Sequence, residues 1–378
     1  VWYDAANTIN AKIGSISSFM GSSFSITPIT GTSAENLRIA SGAGGSYFIV
    51  WKEAAAGRTT VWGITVNSSG TPTSSAIRLD SSSDNQTYPC VTSCSEGFCV
   101  AWRNESTGIR CRKFTTSGVA IGETFTVASG PTAPNKPVVA SSGEKIIVIY
   151  QVNNDLTSTD IVGKRIDSDG SLGGEFTVTE ISGIQNNPDI TFVDPYYAVV
   201  YEDYSATGVT ADIISVNVTS GGSAFGAPIV VSDYAANKLN PRVAASDTSI
   251  LVTWQDTRGI NDAIYAAFLP VVEVGSGPEA FIIEPNNGSF VSCGDMPVKI
   301  LVRDEDGIDE STIELTVNGI TYTITAPELS FDNDTLIFIP STPFANEDSV
   351  LCTLVAADDL LGNELATAVT TLFIIDAE

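Results

Sequence analysis

The chain has 378 residues, with 18 Lys plus Arg against 44 Asp plus Glu, no His, two Met and a net charge of −26. A surface this acidic repels nucleic acid and anionic lipid, so neither nucleic-acid binding nor membrane insertion is expected. Without His there is no Ser-His-Asp triad and no His metal cage.

With 43% hydrophobic residues and much Ser, Thr and Gly, the composition is that of a β-rich secreted protein, not a disordered acidic one. No run approaches the roughly 20 apolar residues of a membrane helix. The expected location is extracellular, secreted or at the cell surface. The chain begins at Val1 without a signal peptide, which reads as a processed chain or a fragment. Its length allows two domains with full cores.

From the N-terminus onward one phrase recurs six times: an apolar run closed by Trp or Tyr, then usually a polar or acidic pair. The closing aromatics are Trp2, Trp51, Trp102, Tyr150, Tyr201 and Trp254, spaced 49, 51, 48, 51 and 53 residues apart. A period this constant announces a repeat architecture. Within each repeat a first strand often follows a Pro (Pro89, Pro137, Pro188, Pro241), where no ladder donor is lost. The second strand carries the aromatic and is apolar on consecutive positions, so both its faces must be covered. The third has a small residue (Ala11, Gly63, Cys111, Gly163, Ser215, Ala266), read as a close approach of neighbouring backbone. Turns such as Asn67–Gly70 and Asp167–Gly170 lead to a fourth.

Four antiparallel strands per repeat, arranged radially, make a β-propeller. The N-terminal copy lacks a first strand and the last lacks a fourth after Phe268. Six blades over residues 1–270 are expected, with five plus an N-terminal hairpin as the alternative. Residues 271–279 read as a Pro/Gly-containing linker. Residues 280–378 then show about seven strands with turns every ten or so residues, the pattern of an immunoglobulin-like β-sandwich. From Glu279 to Glu378 there are 19 acidic and two basic residues, so this module carries most of the charge.

The repeat text, as in NPRVAAS, ILVTWQD and DAIYAAF between Asn240 and Phe268, resembles propeller repeats of secreted bacterial surface proteins. The text from Ile282 to Asn363 resembles a bacterial immunoglobulin-like module. Such modules occur in tandem on adhesins and fibres. The resemblance implies architecture, not activity, because families of this kind include stalks, filaments and carbohydrate-active enzymes.

Candidate sites follow from residue chemistry. Asp304, Glu305, Asp306 and Asp309, with Asp358, Asp359 and Asn363, fall in two loops at one end of the sandwich. Crowded hard oxygens favour calcium, the one cofactor expected. The DSDG turn at Asp167 lacks the downstream Glu of a calcium loop and reads as a hairpin turn. Cys293 and Cys352 are one expected disulfide. Cys90, Cys94, Cys99 and Cys111 are two more in unknown pairing. Zinc is the rival for those four, although their spacing fits no finger or ribbon. Sequons at Asn67, Asn85, Asn104, Asn217, Asn287 and Asn333 mark expected glycans, at a count that chance alone would supply.

Asp4, Glu53, Asp203 and Asp256 could supply a glycosidase's two carboxylates. Their recurrence at one repeat position, shared with Asn104, reads better as structural capping. The landmark aromatics likewise read as inter-blade core, not a sugar platform. Only Trp62 falls outside that pattern. Arg38 and Arg242 alone share a repeat position among the arginines. With no catalytic set visible, the expectation is a non-enzymatic, glycosylated subunit of an extracellular filament or surface fibre. Its partners would be copies of itself, joined head to tail by strand addition at the uneven blade. The alternative is a carbohydrate-binding or glycoside-hydrolase-type propeller with the sandwich as spacer, and glycans as partners.

Overall fold

A strand such as Tyr47–Ala55, apolar at successive positions, cannot sit at a sheet surface; it needs a neighbouring sheet on each face. The computed structural model describes residues 2–3, 8–12, 23–26, 34–153, 158–179, 181–204, 209–232, 236–259, 262–271, 277–304 and 307–376. Among these residues no helix is long and apolar enough to cross a membrane. The chain divides into two units, Val1–Val271 and Val272–Glu378.

The first unit is a run of antiparallel sheets, each drawn from consecutive chain. The first holds β1 (Trp2–Tyr3), β2 (Ile9–Lys12) and β3 (Ser23–Ile26). The second holds β4 (Ala34–Ser41), β5 (Tyr47–Ala55), β6 (Arg58–Val66) and β7 (Ile77–Arg78). The third holds β8 (Gln86–Cys94), β9 (Gly97–Asn104), β10 (Gly108–Phe114) and β11 (Ala120–Ala128). The fourth holds β12 (Asn135–Ser141), β13 (Ile146–Asn153), β14 (Thr159–Ile166) and β15 (Leu172–Thr179). The fifth holds β16 (Gln185–Val193), β17 (Tyr196–Asp203), β18 (Asp212–Val218) and β19 (Ala224–Ser232). The sixth holds β20 (Lys238–Ser246), β21 (Ser249–Asp256) and β22 (Ala263–Pro270).

Successive sheets pack face to face. Ile9 and Ala11 of the first meet Ile49 and Trp51 of the second. Phe48 and Val50 on the other face of β5 meet Phe98, Val100 and Trp102. Cys99, Ala101 and Cys111 pack on Val148 and Tyr150, and Ile147 and Ile149 pack on Tyr197, Val199 and Tyr201. This is a β-propeller, in which five of the sheets bring a first strand to one pocket. Among the described residues its first and last blades have three strands each, and Ile264 and Phe268 of β22 are exposed.

Where the small residue of the third strand is Gly, at Gly63 and Gly163, it sits beside an aromatic ring, not beside backbone. A Cβ on Gly63 would lie 2.6 Å from the Phe48 ring, and one on Gly163 would lie 2.4 Å from Phe176. The missing side chain makes room for the ring of the adjacent strand.

The second unit is a β-sandwich with nine strands among the described residues, where about seven were expected. One sheet has the order β23 (Glu279–Glu284), β25 (Val298–Arg303), β29 (Thr335–Phe338), β28 (Leu329–Asp332). The other runs β24 (Phe290–Val291), β31 (Val369–Ile375), β30 (Ser349–Asp359), β26 (Ile308–Val317), β27 (Ile320–Thr323). Alternate residues such as Val298, Ile300 and Val302 face Leu315, Leu354 and Phe373 in one core.

Gly63→Val should overpack the Phe48 ring and cost about 1–3 kcal/mol. The check is a lower urea midpoint with unchanged m-value; an unshifted midpoint would contradict the packing described.

Candidate functional site

In five blades the first strand carries a β-bulge at the same place. Two residues oppose one: Asn36–Leu37 face Trp51, Tyr88–Pro89 face Trp102, and Lys136–Pro137 face Tyr150. Asn187–Pro188 face Tyr201, and Asn240–Pro241 face Trp254. The first bulge residue has a left-handed backbone each time, with φ of 53°, 52°, 48°, 47° and 53° in chain order. Asn tolerates that region, but a Tyr or Lys there costs of order 1–3 kcal/mol and persists only where its surroundings demand it. Pro suits the next position because it needs no ladder donor.

The five bulges converge. Asn36, Tyr88, Lys136, Asn187 and Asn240, with Arg38 and Arg242 two residues further along their strands, line one pocket of about 110 Å³. At ~30 Å³ per water in the liquid, the pocket has room for a few waters.

Its walls are hydrogen-bonded between blades. Lys136 Nζ donates to Asn186 Oδ1 at 2.5 Å and to Asn187 Oδ1 at 2.7 Å. Asn187 Nδ2 donates to Glu202 Oε1 at 2.7 Å, and the Asn240 N–H donates to the same oxygen at 2.6 Å. Glu202, with no exposed surface, also accepts from the Tyr204 hydroxyl at 3.3 Å. Asp189 occupies the repeat position of Arg38 and Arg242 and accepts the Val243 N–H at 3.1 Å. Lost hydration raises the Asp189 pKa, against the pull of Arg242 and Arg38. Burial lowers the Lys136 pKa, and Glu202 opposes that shift. The pocket lining offers amide, ammonium and guanidinium donors, and Asp189, next to the lining residue Pro188, lies in the field of Arg38 and Arg242.

The recurrent carboxylates lie elsewhere. Glu53 is buried and accepts the Trp51 indole N–H at 2.7 Å, and Asp256 is buried and accepts that of Trp254 at 3.1 Å. The Arg258 hydrogen bond holds Asp256 well below the usual carboxylate range. Asp203 is buried and accepts from Gln185 Nε2 at 3.3 Å. In the third blade Asn104 takes this position, and Trp102 finds its acceptor at Asp80 instead, at 3.1 Å. These groups satisfy buried donors and are not offered to a ligand. Asp4 lies outside the described residues. Trp62 is half-buried, with its N–H on the Thr60 hydroxyl at 2.9 Å.

All six cysteines are free thiols. Cys99 and Cys111, on adjacent strands, bring their sulfurs to 3.0 Å, and burial raises the pKa of Cys111 and of Cys90. The expected Cys293–Cys352 bridge is not formed. Cys352 is buried in the sandwich core, its thiol pushed up to about 12 by burial, whereas Cys293 is exposed.

The two acidic loops do meet: Asp309 pairs with Asp358, and Ile308 with Asp359. Asp359, however, caps its own turn, accepting the Leu361 and Asn363 N–H groups at 2.8 Å each and Asn363 Nδ2 at 2.5 Å. Asp304 has an interaction of its own, while Glu305 and Asp306 lie outside the described residues. Among the described residues no three His, Cys, Asp or Glu are grouped to hold a metal ion, which applies to the calcium and zinc readings alike.

Among the sequons, Asn104 is buried and its Nδ2 donates to Ser82 Oγ at 2.9 Å. Asn85 Nδ2 donates to Glu105 Oε2 at 3.0 Å. Those two amides are spent inside the fold, which corrects Asn104 as a glycan acceptor. Asn67 and Asn217 are half-buried; Asn287 and Asn333 are exposed.

Sequence reasoning did not find Lys136, Asp189 or Glu202. The available signal was the X-Pro pair at a fixed distance before four of the six landmark aromatics, together with the shared position of Arg38 and Arg242.

Comparison with protein-family models finds no match, and comparison with curated proteins finds none. Solved structures are similar at the level of fold. One is a protein of unknown function from Dyadobacter fermentans, at 11% identity and TM-score 0.49, covering 71% of this chain and 90% of that one. A second is an α-L-arabinanase of Penicillium chrysogenum complexed with arabinobiose, at 15% identity and TM-score 0.43, covering 60% and 78%. A third is the catalytic domain of a GH62 α-L-arabinofuranosidase of Coprinopsis cinerea, at 10% identity and TM-score 0.40, covering 63% and 90%. The expectations of a filament or fibre subunit and of a chain without enzymatic activity are corrected on this finding. The similar structures of stated activity named here are glycoside hydrolases, and none is a filament protein.

Asp189 provides a stability test. Its raised pKa means that its contribution is fully present below the ordinary carboxylate value of 3.8 and is lost as pH rises through the folded value. Asp189→Asn should therefore stabilise the chain at pH 7, with the gain vanishing below about pH 4. Denaturation midpoints at both pH values check this. Peptide mapping should find Asn104 without glycan, any occupancy falling on exposed sequons such as Asn287 and Asn333.

Proposed function

We propose that the propeller is a carbohydrate-active module whose site is the axial pocket, with the sandwich as its spacer. The observation that carries this reading is the convergence of five bulges, each bearing a left-handed residue, on one polar pocket. Strain at Tyr88 and Lys136, where Asn would sit at ease, is retained where it positions side chains for a ligand. Sugars are recognised by such dense hydrogen-bond donors and acceptors: the amides of Asn36, Asn187 and Asn240, the hydroxyl of Tyr88 and the cations beside them. Glycoside-hydrolase propellers among the similar folds are consistent with this site, although the likeness extends only to the fold.

Beside the pocket lining, in the field of Arg38 and Arg242, Asp189 is the group suited to proton transfer. Lost hydration keeps its proton affinity above that of an exposed carboxylate, as a general acid requires. Glu202 has a different task. Its two oxygens are committed to Asn187, Asn240 and Tyr204, so it fixes the amides that face the pocket. Two bulges are thereby held in register from one buried carboxylate.

Two finer readings go with this one. Secretion fits the acidic, Ser- and Thr-rich composition. The strand order of the second unit, four strands against a sheet that pairs β24 in parallel with β31, supports an immunoglobulin-like sandwich.

The experiment is a panel of arabinan, arabinoxylan, pectin and galactan, assayed for binding by calorimetry and for release of reducing ends. Binding to at least one polysaccharide is expected. Asp189→Asn should retain that binding while turnover falls about 10²–10⁴-fold. A folded chain that binds and cleaves none of the panel would overturn the reading.

A further inference from the structure

The axial pocket is cationic in a chain that carries 44 acidic and only 18 basic residues. Three of those 18 line it: Arg38, Lys136 and Arg242. Arg38 and Arg242 come from the first and last of the five bulged strands, at the same register position, directly after the bulge. They lie within electrostatic reach of each other: after lost hydration, the Arg38 charge is what most lowers the pKa of Arg242, with Asp189 and Glu202 opposing.

Two guanidiniums facing each other are unfavourable unless an anion shares them. Asp189 supplies part of that charge, but its own pKa is raised, and neither arginine forms an ion pair within 4 Å among the described residues. Among the described residues their hydrogen bonds go no further than their own strands. Arg38 Nη1 donates to the Leu37 carbonyl at 3.0 Å and Arg242 Nη1 to the Pro241 carbonyl at 2.6 Å. A guanidinium has five N–H donors in a fork that matches the two oxygens of an anionic group. Lys136 contributes a third cation, already aimed across the pocket at Asn186 and Asn187.

We infer that the saccharide taken by the axial pocket is anionic, with its acidic group held between Arg38 and Arg242. This rests on the carbohydrate reading of the site and narrows it to sugars bearing a carboxylate or a sulfate ester. Neutral pentose polymers would leave both guanidiniums without a counter-charge. The overall −26 charge sharpens the choice, because the net field disfavours a polyanion and these three cations offset it at the pocket.

The test uses the whole chain and three probes in calorimetry: an oligogalacturonate, the same oligomer as its methyl ester, and a sulfated galactan oligosaccharide. The acidic probes should bind at least tenfold more tightly than the ester, with affinity falling as salt rises; whichever acidic probe binds identifies the anion. Arg38→Gln and Arg242→Gln should each lose at least tenfold toward the acidic probe and little toward the ester. Arg→Lys at either place should recover part of the loss. Equal binding of acid and ester would overturn the anionic inference and leave the carbohydrate reading standing. Binding of no saccharide would overturn both. Should the Gln variants fail to fold, the comparison of acid with ester on the unaltered chain still decides.

Discussion

Everything in the propeller depends on burying one large aromatic per blade while satisfying its polar tip. Trp51, Trp102, Tyr150 and Tyr201 have essentially no exposed surface, and Trp254 very little. An indole N–H placed there without an acceptor would forfeit about 1–3 kcal/mol. Glu53, Asp80 and Asp256 supply acceptors for the indoles, and Glu175 accepts from the Tyr150 hydroxyl at 2.5 Å. Carboxylates that recur in the repeats are thus structural, fixed by the aromatic two residues earlier in the chain or by a neighbouring loop.

The same aromatic lies opposite the bulge that forms the site. The first strand there carries one extra residue against its partner, which is a β-bulge. Five of the six repeats show the bulge, and their five variable residues line one pocket. The scaffold is periodic and the site is not. Asn, Tyr, Lys, Asn and Asn occupy one ring; Arg, Cys, Val, Asp and Arg occupy the next. Chemistry can vary at these positions while packing between blades stays constant.

The acidic sandwich follows a different logic. Its strands alternate apolar and polar, so its charge sits on outward faces and in loops, where it needs no partner. Asp359 shows how little a crowd of carboxylates says about metal binding. It is buried, yet its oxygens are consumed by the backbone of its own turn. Only the hydrogen-bond inventory distinguishes such a cap from a ligand.

Period, blade architecture and the burial of Trp51, Trp102 and Trp254 were legible in the sequence, because a fixed spacing of apolar runs needs only local pattern to be recognised. The unequal first and last blades were legible for the same reason, as missing segments in a regular text. The pocket was not. Arg38 and Arg242 stand 204 positions apart, and their shared repeat position does not announce that they line one pocket near Asp189. Nor could sequence separate Cys99 and Cys111, whose sulfurs approach, from Cys293 and Cys352, of which one is exposed and the other in the core. Short-range order is written in neighbouring residues. Which distant side chains share a cavity is decided only when the blades close-pack, since that packing alone sets their distances and their hydration.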